Sequence, residues 1–312
     1  MSARIVTLAV AVVAIALVVA QDAYPATPLY HTWQYALALT IALVAIGAYA
    51  SGARRGTDGV AGRRLILALG GAAIVTVAGL AAGLLGPDTA QLIGTPGTVT
   101  PIPALGAAAF FGAADAATIA GGGAGVVLRR RNAPDVVVAP GAHCVFGESL
   151  LYLTPRPAAY VDVYDERGAH LTVTQPANAS FLSPVLLFPQ HQRIGELDVP
   201  FDTFAAPARR RTLRALYFTQ RDLAAFDHRG AVLDASRPGL ILTAADDRDK
   251  QLGITLAPSQ RDVEIAGLRV RATVGTYPAL SIASAPPTWA LVVGIALFLA
   301  GCGWSALRTG TG

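Results

Sequence analysis

Five histidines, two cysteines and a few short acidic and basic clusters are the residues of this chain that could carry chemistry. The histidines are His31, His143, His170, His191 and His228. None has another His or Cys at metal-ligand spacing, except His143 beside Cys144. Neighbours on a strand point to opposite faces, so that pair cannot chelate together. His143, His170, His191 and His228 therefore read as surface or loop residues. His31 is the candidate cofactor ligand. It stands in Tyr30-His31-Thr32-Trp33, at the expected outer boundary of a membrane helix. There it could ligate a haem or a quinone, or serve as an interfacial polar residue.

The remaining motifs point away from common chemistries. Gly147-Glu148-Ser149 lacks the G-x-S-x-G pattern of a nucleophile elbow. The glycines of 121–125 lack the Lys and Ser/Thr of a phosphate-binding loop, and no strand is expected before them. Asp246-Asp247-Arg248-Asp249-Lys250 has neither the spacing nor the glycine of a calcium loop, and reads as a solvated turn. Asn178-Ala179-Ser180 is a formal glycosylation sequon. Cys144 and Cys302 sit in different kinds of segment, with no CxxC or zinc spacing. No residue set fits a catalytic or metal-binding reading.

The elements that must position these residues are set by hydropathy. The chain has 312 residues, of which 53% are hydrophobic and 14% charged. Soluble domains carry about 25% charged residues, so part of this chain is expected to face lipid. Lys250 is the single lysine and the net charge is only +4, in short arginine clusters. That excludes a nucleic-acid partner. Apolar runs at 5–20, 33–50, 65–85 and 289–304 predict about four spans. Tyr24, Tyr30, Trp33 and Tyr35 crowd the start of the second as an interfacial belt. The first run could also be a signal peptide, since Val18-Val19-Ala20 ends on a small residue.

Arginine placement sets the orientation. Arg54, Arg55, Arg63 and Arg64 lie between the second and third runs, and residues 21–32 hold no Lys or Arg. The positive-inside rule then puts 51–64 and the N-terminus in the cytoplasm. Residues 104–128 are ambiguous. They are apolar, and Arg129-Arg130-Arg131 follows them as a cytoplasmic end would. They also hold Asp115 mid-segment, which costs about 2.5–3.5 kcal/mol at a bilayer centre. The expectation is that they do not span, which leaves the middle domain outside.

Between about 125 and 283 the period changes to two. Tyr160-Val161-Asp162-Val163-Tyr164 alternates, Asp165-Glu166-Arg167-Gly168 turns, and Leu171-Thr172-Val173-Thr174 returns. Short strands around 126–128, 136–138, 216–218, 240–242, 254–256 and 268–274 continue the series, with strand and turn at 262–267. The best helix candidate there is 221–226. Such spacing predicts an antiparallel, sandwich-like β domain. The apolar run at 181–189, framed by Pro176, Pro184 and Pro189, reads as buried or interfacial. Arg209-Arg210-Arg211 and Arg214 read as a basic turn or a contact to lipid headgroups.

The end of the chain carries a resemblance. Gly267-Leu268-Arg269-Val270, then Gly275-Thr276-Tyr277-Pro278-Ala279-Leu280, then Ala285-Pro286-Pro287 before a last span, is similar to the C-terminus of ResB-like cytochrome c biogenesis proteins. Three N-terminal spans, a large domain and one closing span repeat that layout. The resemblance implies a scaffold working with a haem-handling membrane protein in cytochrome c maturation, with haem as the implied cofactor. His31 is the histidine nearest to a span. The expected organisation is three transmembrane helices in 1–90, a β-rich extracytoplasmic domain in 91–286, and a closing helix and tail in 287–312. An accessory subunit of another envelope complex, with no cofactor, is the alternative. Either is a multi-pass protein of the cell membrane, with the lipid bilayer as its first partner.

Overall fold

The structure, a computed structural model, describes residues 3–23, 32–54, 60–86, 89–131, 133–146, 149–175, 179–195, 197–227 and 238–306. Contacts divide the chain into two compact units: Met1–Leu92 with Gly141–Tyr152 and Leu280–Gly312, and Ile93–Pro140 with Leu153–Ala279.

The first unit is built on helices α1 (Ala3–Ala23), α2 (Trp33–Arg54), α3 (Val60–Leu85) and α6 (Thr288–Ala306). Three of them, α1, α2 and α3, are long and apolar enough to cross a membrane. Their outward side chains are apolar as well, for example Val13, Ile41 and Val77. Apolar residues on every face suit a lipid surround. Inside, Ala14, Val18, Leu39 and Val75 form one buried cluster, with Leu291 and Ile295 of α6 packed on it. A second cluster joins Ala11, Ile46, Leu65 and Leu69, with Phe298 of α6 against it. Helix α6 lies on α3 at backbone distance. A Cβ on Gly294 would come within 2.6 Å of Val75 Cγ2 and 2.8 Å of the Gly71 carbonyl oxygen. One on Gly301 would meet the Ala68 nitrogen at 2.5 Å. Small residues permit such approach where lipid supplies no hydrophobic drive. Three short strand segments, β1 (Ala90–Leu92), β6 (His143–Phe146) and the start of β7 (Ser149–Asp165), belong to the same unit with the end of β17 (Leu268–Ser284).

The second unit is largely antiparallel sheet. A four-stranded meander joins β2 (Val99–Ile102), β3 (Ala107–Phe111), β4 (Val126–Arg130) and β5 (Val136–Val138). This is where residues 104–128 fall: two strands with the short helix α4 (Ala116–Ala120) between them, and no spanning helix. Asp115 is the N-cap of α4. Its Oδ1 accepts from the Thr118 N–H and the Thr118 hydroxyl, both at 2.7 Å. Its charge therefore serves a helix start rather than facing lipid.

The other strands are β8 (Val173–Gln175), β9 (Ala179–Phe181), β10 (Val185–Leu186), β11 (Gln190–Ile194), β12 (Leu197–Ala206), β13 (Arg211–Phe218), β14 (Gly239–Ala245), β15 (Gln251–Pro258) and β16 (Asp262–Ile265). They form a sheet in the order β15-β14-β13-β12-β8-β9, with β11 on β12, and a sheet in the order β1-β17-β7-β10, with β16 on β17 and β6 on β7. One buried cluster draws on both. It takes Val161, Val163, Leu268, Val270 and Ala272 from one sheet, and Phe204, Leu213, Ala215, Leu240 and Leu242 from the other. The helix expected at 221–226 is α5 (Gln220–Asp227). The proline-framed run divides: Leu186 and Phe188 are buried in the cluster, while Phe181 and Leu182 are exposed.

Candidate functional site

A group of polar and titratable side chains gathers on the outer face of β7. Alternation turns Val161 and Val163 into the core, so Asp162 and Tyr164 point the other way. The turn after β7 is held by Asp165. Its Oδ1 accepts the N–H groups of Arg167 and Ala169 at 2.9 and 2.8 Å, and its Oδ2 takes the Arg209 guanidinium at 2.8 Å. The Ala169 hydrogen bond, then Arg209, hold this carboxyl below its ordinary value against the opposing effect of burial. The chain returns with His170 bridged to Tyr164, the two rings stacked 4.7 Å apart. A third segment arrives where Val161 N–H donates to the Pro184 carbonyl at 3.1 Å, which sets Ser183 beside Asp162.

The Ser183 hydroxyl donates to Asp162 Oδ1 at 2.5 Å. His170 Nε2 lies 3.3 Å from Ser183 Oγ and 3.5 Å from Asp162 Oδ1. Arg269 stands over the Tyr164 ring, 5.1 Å from its centroid. The residue types are those of an acyl-transfer triad, but the wiring differs. In such a triad the carboxylate holds the far imidazole nitrogen and the serine proton goes to the near one. Here the carboxylate holds the serine proton and approaches the same nitrogen. What this arrangement does is tie three chain segments together on an open sheet face.

A cleft of about 220 Å³ is lined by Pro157, Leu197, Asp198, Pro200, Tyr217 and Asp222, among others. Asp222 is occupied there: its Oδ2 accepts the Thr219 hydroxyl at 2.6 Å and the Thr219 N–H at 3.0 Å. Thr219 Oγ1 accepts the Asp222 N–H at 3.1 Å in return, a reciprocal cap on α5. Burial, and then the Asp222 charge, raise the Tyr217 phenol above its ordinary value. Asp202 is a second buried acid. It accepts N–H groups from Leu187 at 3.2 Å and Thr203 at 2.8 Å, yet burial pushes its carboxyl up.

His31 and His228 lie outside the described residues, as does Asn178 of the sequon. His143 is exposed on β6. His191 Nδ1 sits 3.1 Å from Asp198 Oδ2 on an exposed hairpin. Arg209 binds Asp165, and Arg214 lies 3.7 Å over the Phe201 ring. Asp246 Oδ1 accepts the N–H groups of Arg248 and Lys250, both at 2.9 Å, so that acidic run is a self-bonded turn. Among the described residues, no group of three or more His, Cys, Asp or Glu side chains is placed to hold a metal ion. The meeting of Asp162, His170 and Ser183 was not anticipated; the sole local hint was the alternation that turned Asp162 outward.

Compared with known proteins, the chain matches no family model, no curated protein and no solved structure.

Proposed function

We propose that this chain is a multi-pass membrane scaffold of four spans whose β domain, a two-sheet sandwich, works on the extracytoplasmic side. The observation that carries it is the packing of α6 on α3 through Gly71, Gly294 and Gly301. A helix seated in the bundle at backbone distance belongs to the same apolar layer as α1–α3, and so is the fourth span. The β domain is then tied to the membrane at both of its ends. With 51–64 cytoplasmic by the positive-inside rule and no spanning helix in 104–128, α3 delivers the domain to the outer side. The ResB-like segment at 267–287 supports cytochrome c maturation as the process served, beside a haem-handling membrane protein. Assembly of another envelope complex is the second reading.

Two measurements test this. A thiol-reactive, membrane-impermeant label should modify Ile254→Cys in intact cells when Cys144 and Cys302 are replaced by Ser. Modification only after lysis would overturn the orientation. Deletion of the gene should lower c-type cytochromes. Normal cytochrome content, together with co-purification of a different membrane complex, would shift the reading to the second.

A further inference from the structure

The four-stranded sheet carries unbroken apolar runs on strands that have one open face. An antiparallel sheet with one solvated face alternates apolar and polar residues, and an unbroken apolar run signals burial on both sides. Strand β7 alternates as expected around Asp162. Strand β4 instead opens Val126-Val127-Leu128, and β5 is Val136-Val137-Val138.

The pairing registers sort these residues into faces. Ala109, Phe111, Val126, Leu128 and Val138 fill the covered face, each no more than 1% exposed. Val99, Phe110, Val127 and Val137 stand opposite one another across all four strands on the other face. Among the described residues that row is open at its edges, where Val99 is 52% and Val137 63% exposed.

The rim of this face is basic. Arg129 follows in the next row, beside Ala108 and Pro101, and its guanidinium lies 5.0 Å from the Phe110 ring centroid. Arg131, two residues on and exposed, continues the rim, while Arg130 alternates to the other face. The acidic group met there is Asp135, 3.5 Å from Arg129 Nε. Two arginines against one carboxylate, around an apolar centre, is the composition of a surface that rests in a headgroup layer. Arginine stems lie along apolar surface while their charge reaches the phosphates. The sheet also follows the N-terminal helices closely in the chain. Helix α3 ends at Leu85 and β2 starts at Val99, a separation of at most about 50 Å even when fully extended.

We infer that the open face of the four-stranded sheet docks on anionic phospholipid, with the valines and Phe110 in the interfacial layer and Arg129 and Arg131 on the phosphates. This rests on the membrane anchoring proposed above. It is a second, peripheral contact with the bilayer, made by the β unit itself.

Collisional accessibility of a spin label on the full-length chain tests it. The label is placed at Val137→Cys, or at Ile254→Cys as the reference, with Cys144 and Cys302 replaced by Ser. Both sites are similarly exposed, at 63% and 62%. The chain is reconstituted in vesicles of phosphatidylglycerol and phosphatidylcholine, or of phosphatidylcholine alone. The expected result is a several-fold higher ratio of oxygen to nickel-chelate collisions at 137 than at 254 in the anionic vesicles. Arg129→Gln with Arg131→Gln, or removal of phosphatidylglycerol, should reduce that ratio. Equal, water-like ratios at the two sites would overturn the inference. So would a ratio that ignores the lipid charge, or a label at 137 shielded from both colliders in detergent as well, which marks a protein partner or second copy. Alkaline carbonate separates the two proposals: extraction of the chain sinks the anchoring itself, whereas a firmly embedded chain with a wet residue 137 sinks only the docking.

Discussion

The two units reach close packing by opposite means. The helical unit does it by removing side chains: α3 and α6 touch where Gly71, Gly294 and Gly301 stand. The β unit does it with its largest ones: Phe204, Phe111 and Tyr277 are among the bulkiest fully buried side chains in the chain. In an apolar surround, burying another leucine gains little, so helices hold together by van der Waals contact and backbone proximity. In water each large apolar side chain removed from solvent stabilises by about 1.5–3 kcal/mol. The β unit uses the glycine device too, but to seat those large groups: Gly94 leaves room for the Phe111 ring and Gly123 for the Pro278 ring, while Gly275 lets the backbone at Ile119 approach.

The comparison breaks first at Gly294. Replacing it with Val puts a Cβ against Val75 and the Gly71 carbonyl, and α6 must move off α3. We expect a loss above about 4 kcal/mol, in the exceptional range for one substitution. It should be read as a large fall in melting temperature of the detergent-solubilised chain. Gly47 has nothing within 4 Å of a Cβ, so Gly47→Ala should be neutral or stabilising by up to about 1 kcal/mol. Equal effects at the two glycines would sink the packing argument. Next comes Phe204→Ala in the β unit, expected to cost about 3–5 kcal/mol. Near-ultraviolet circular dichroism in denaturant should report it, and a loss under about 1 kcal/mol would mean the shared cluster is not closed.

Tyr277 sharpens the comparison on a smaller scale. Its hydroxyl donates to the Gly112 carbonyl at 2.5 Å, and burial pushes the phenol up to about 12. Tyr277→Phe keeps the ring and orphans the carbonyl, so about 1–3 kcal/mol should be lost. Faster amide exchange confined to 112–124 would locate the effect at α4 and its loops. Global loosening without that local signature would count against this bond as the anchor.

These regions also differed in how far they could be read beforehand. The apolar runs at 33–50 and 65–85 are legible as α2 and α3 because a long apolar helix is written in consecutive residues. Alternation around Asp162 is likewise local, and Asp115 weighs against a span in 104–128, where the structure has strands and one short helix. What escaped was everything set by register between distant segments. Ser183 meets Asp162 because the Pro184 carbonyl accepts Val161 N–H, and nothing near either residue encodes that bond. The glycine seam escaped for the same reason: Gly71 and Gly294 are each unremarkable until two helices far apart in sequence are laid side by side. The open face of the four-stranded sheet was half legible. Its valine runs were visible, but not which of them would stay uncovered.

Asp202 gives the smallest and most discriminating test, because it sets the two causes of β-unit stability against each other. Its carboxylate accepts backbone N–H groups from Leu187 and Thr203, which favour the charged form, while burial favours the neutral one. Burial prevails, so the folded pKa lies above the unfolded value of about 3.9. A raised acid contributes stability that is fully present below the unfolded pKa and lost as pH rises through the folded one. Asp202→Asn cannot ionise there, and it exchanges one accepting oxygen for a donor facing an N–H. Wild type should therefore exceed the variant at acid pH by on the order of 1 kcal/mol. That margin should shrink toward neutrality in denaturant titrations run at both extremes. A margin that widened with pH would mean the two N–H donors outweigh burial, and that this corner of the core is built around a charge.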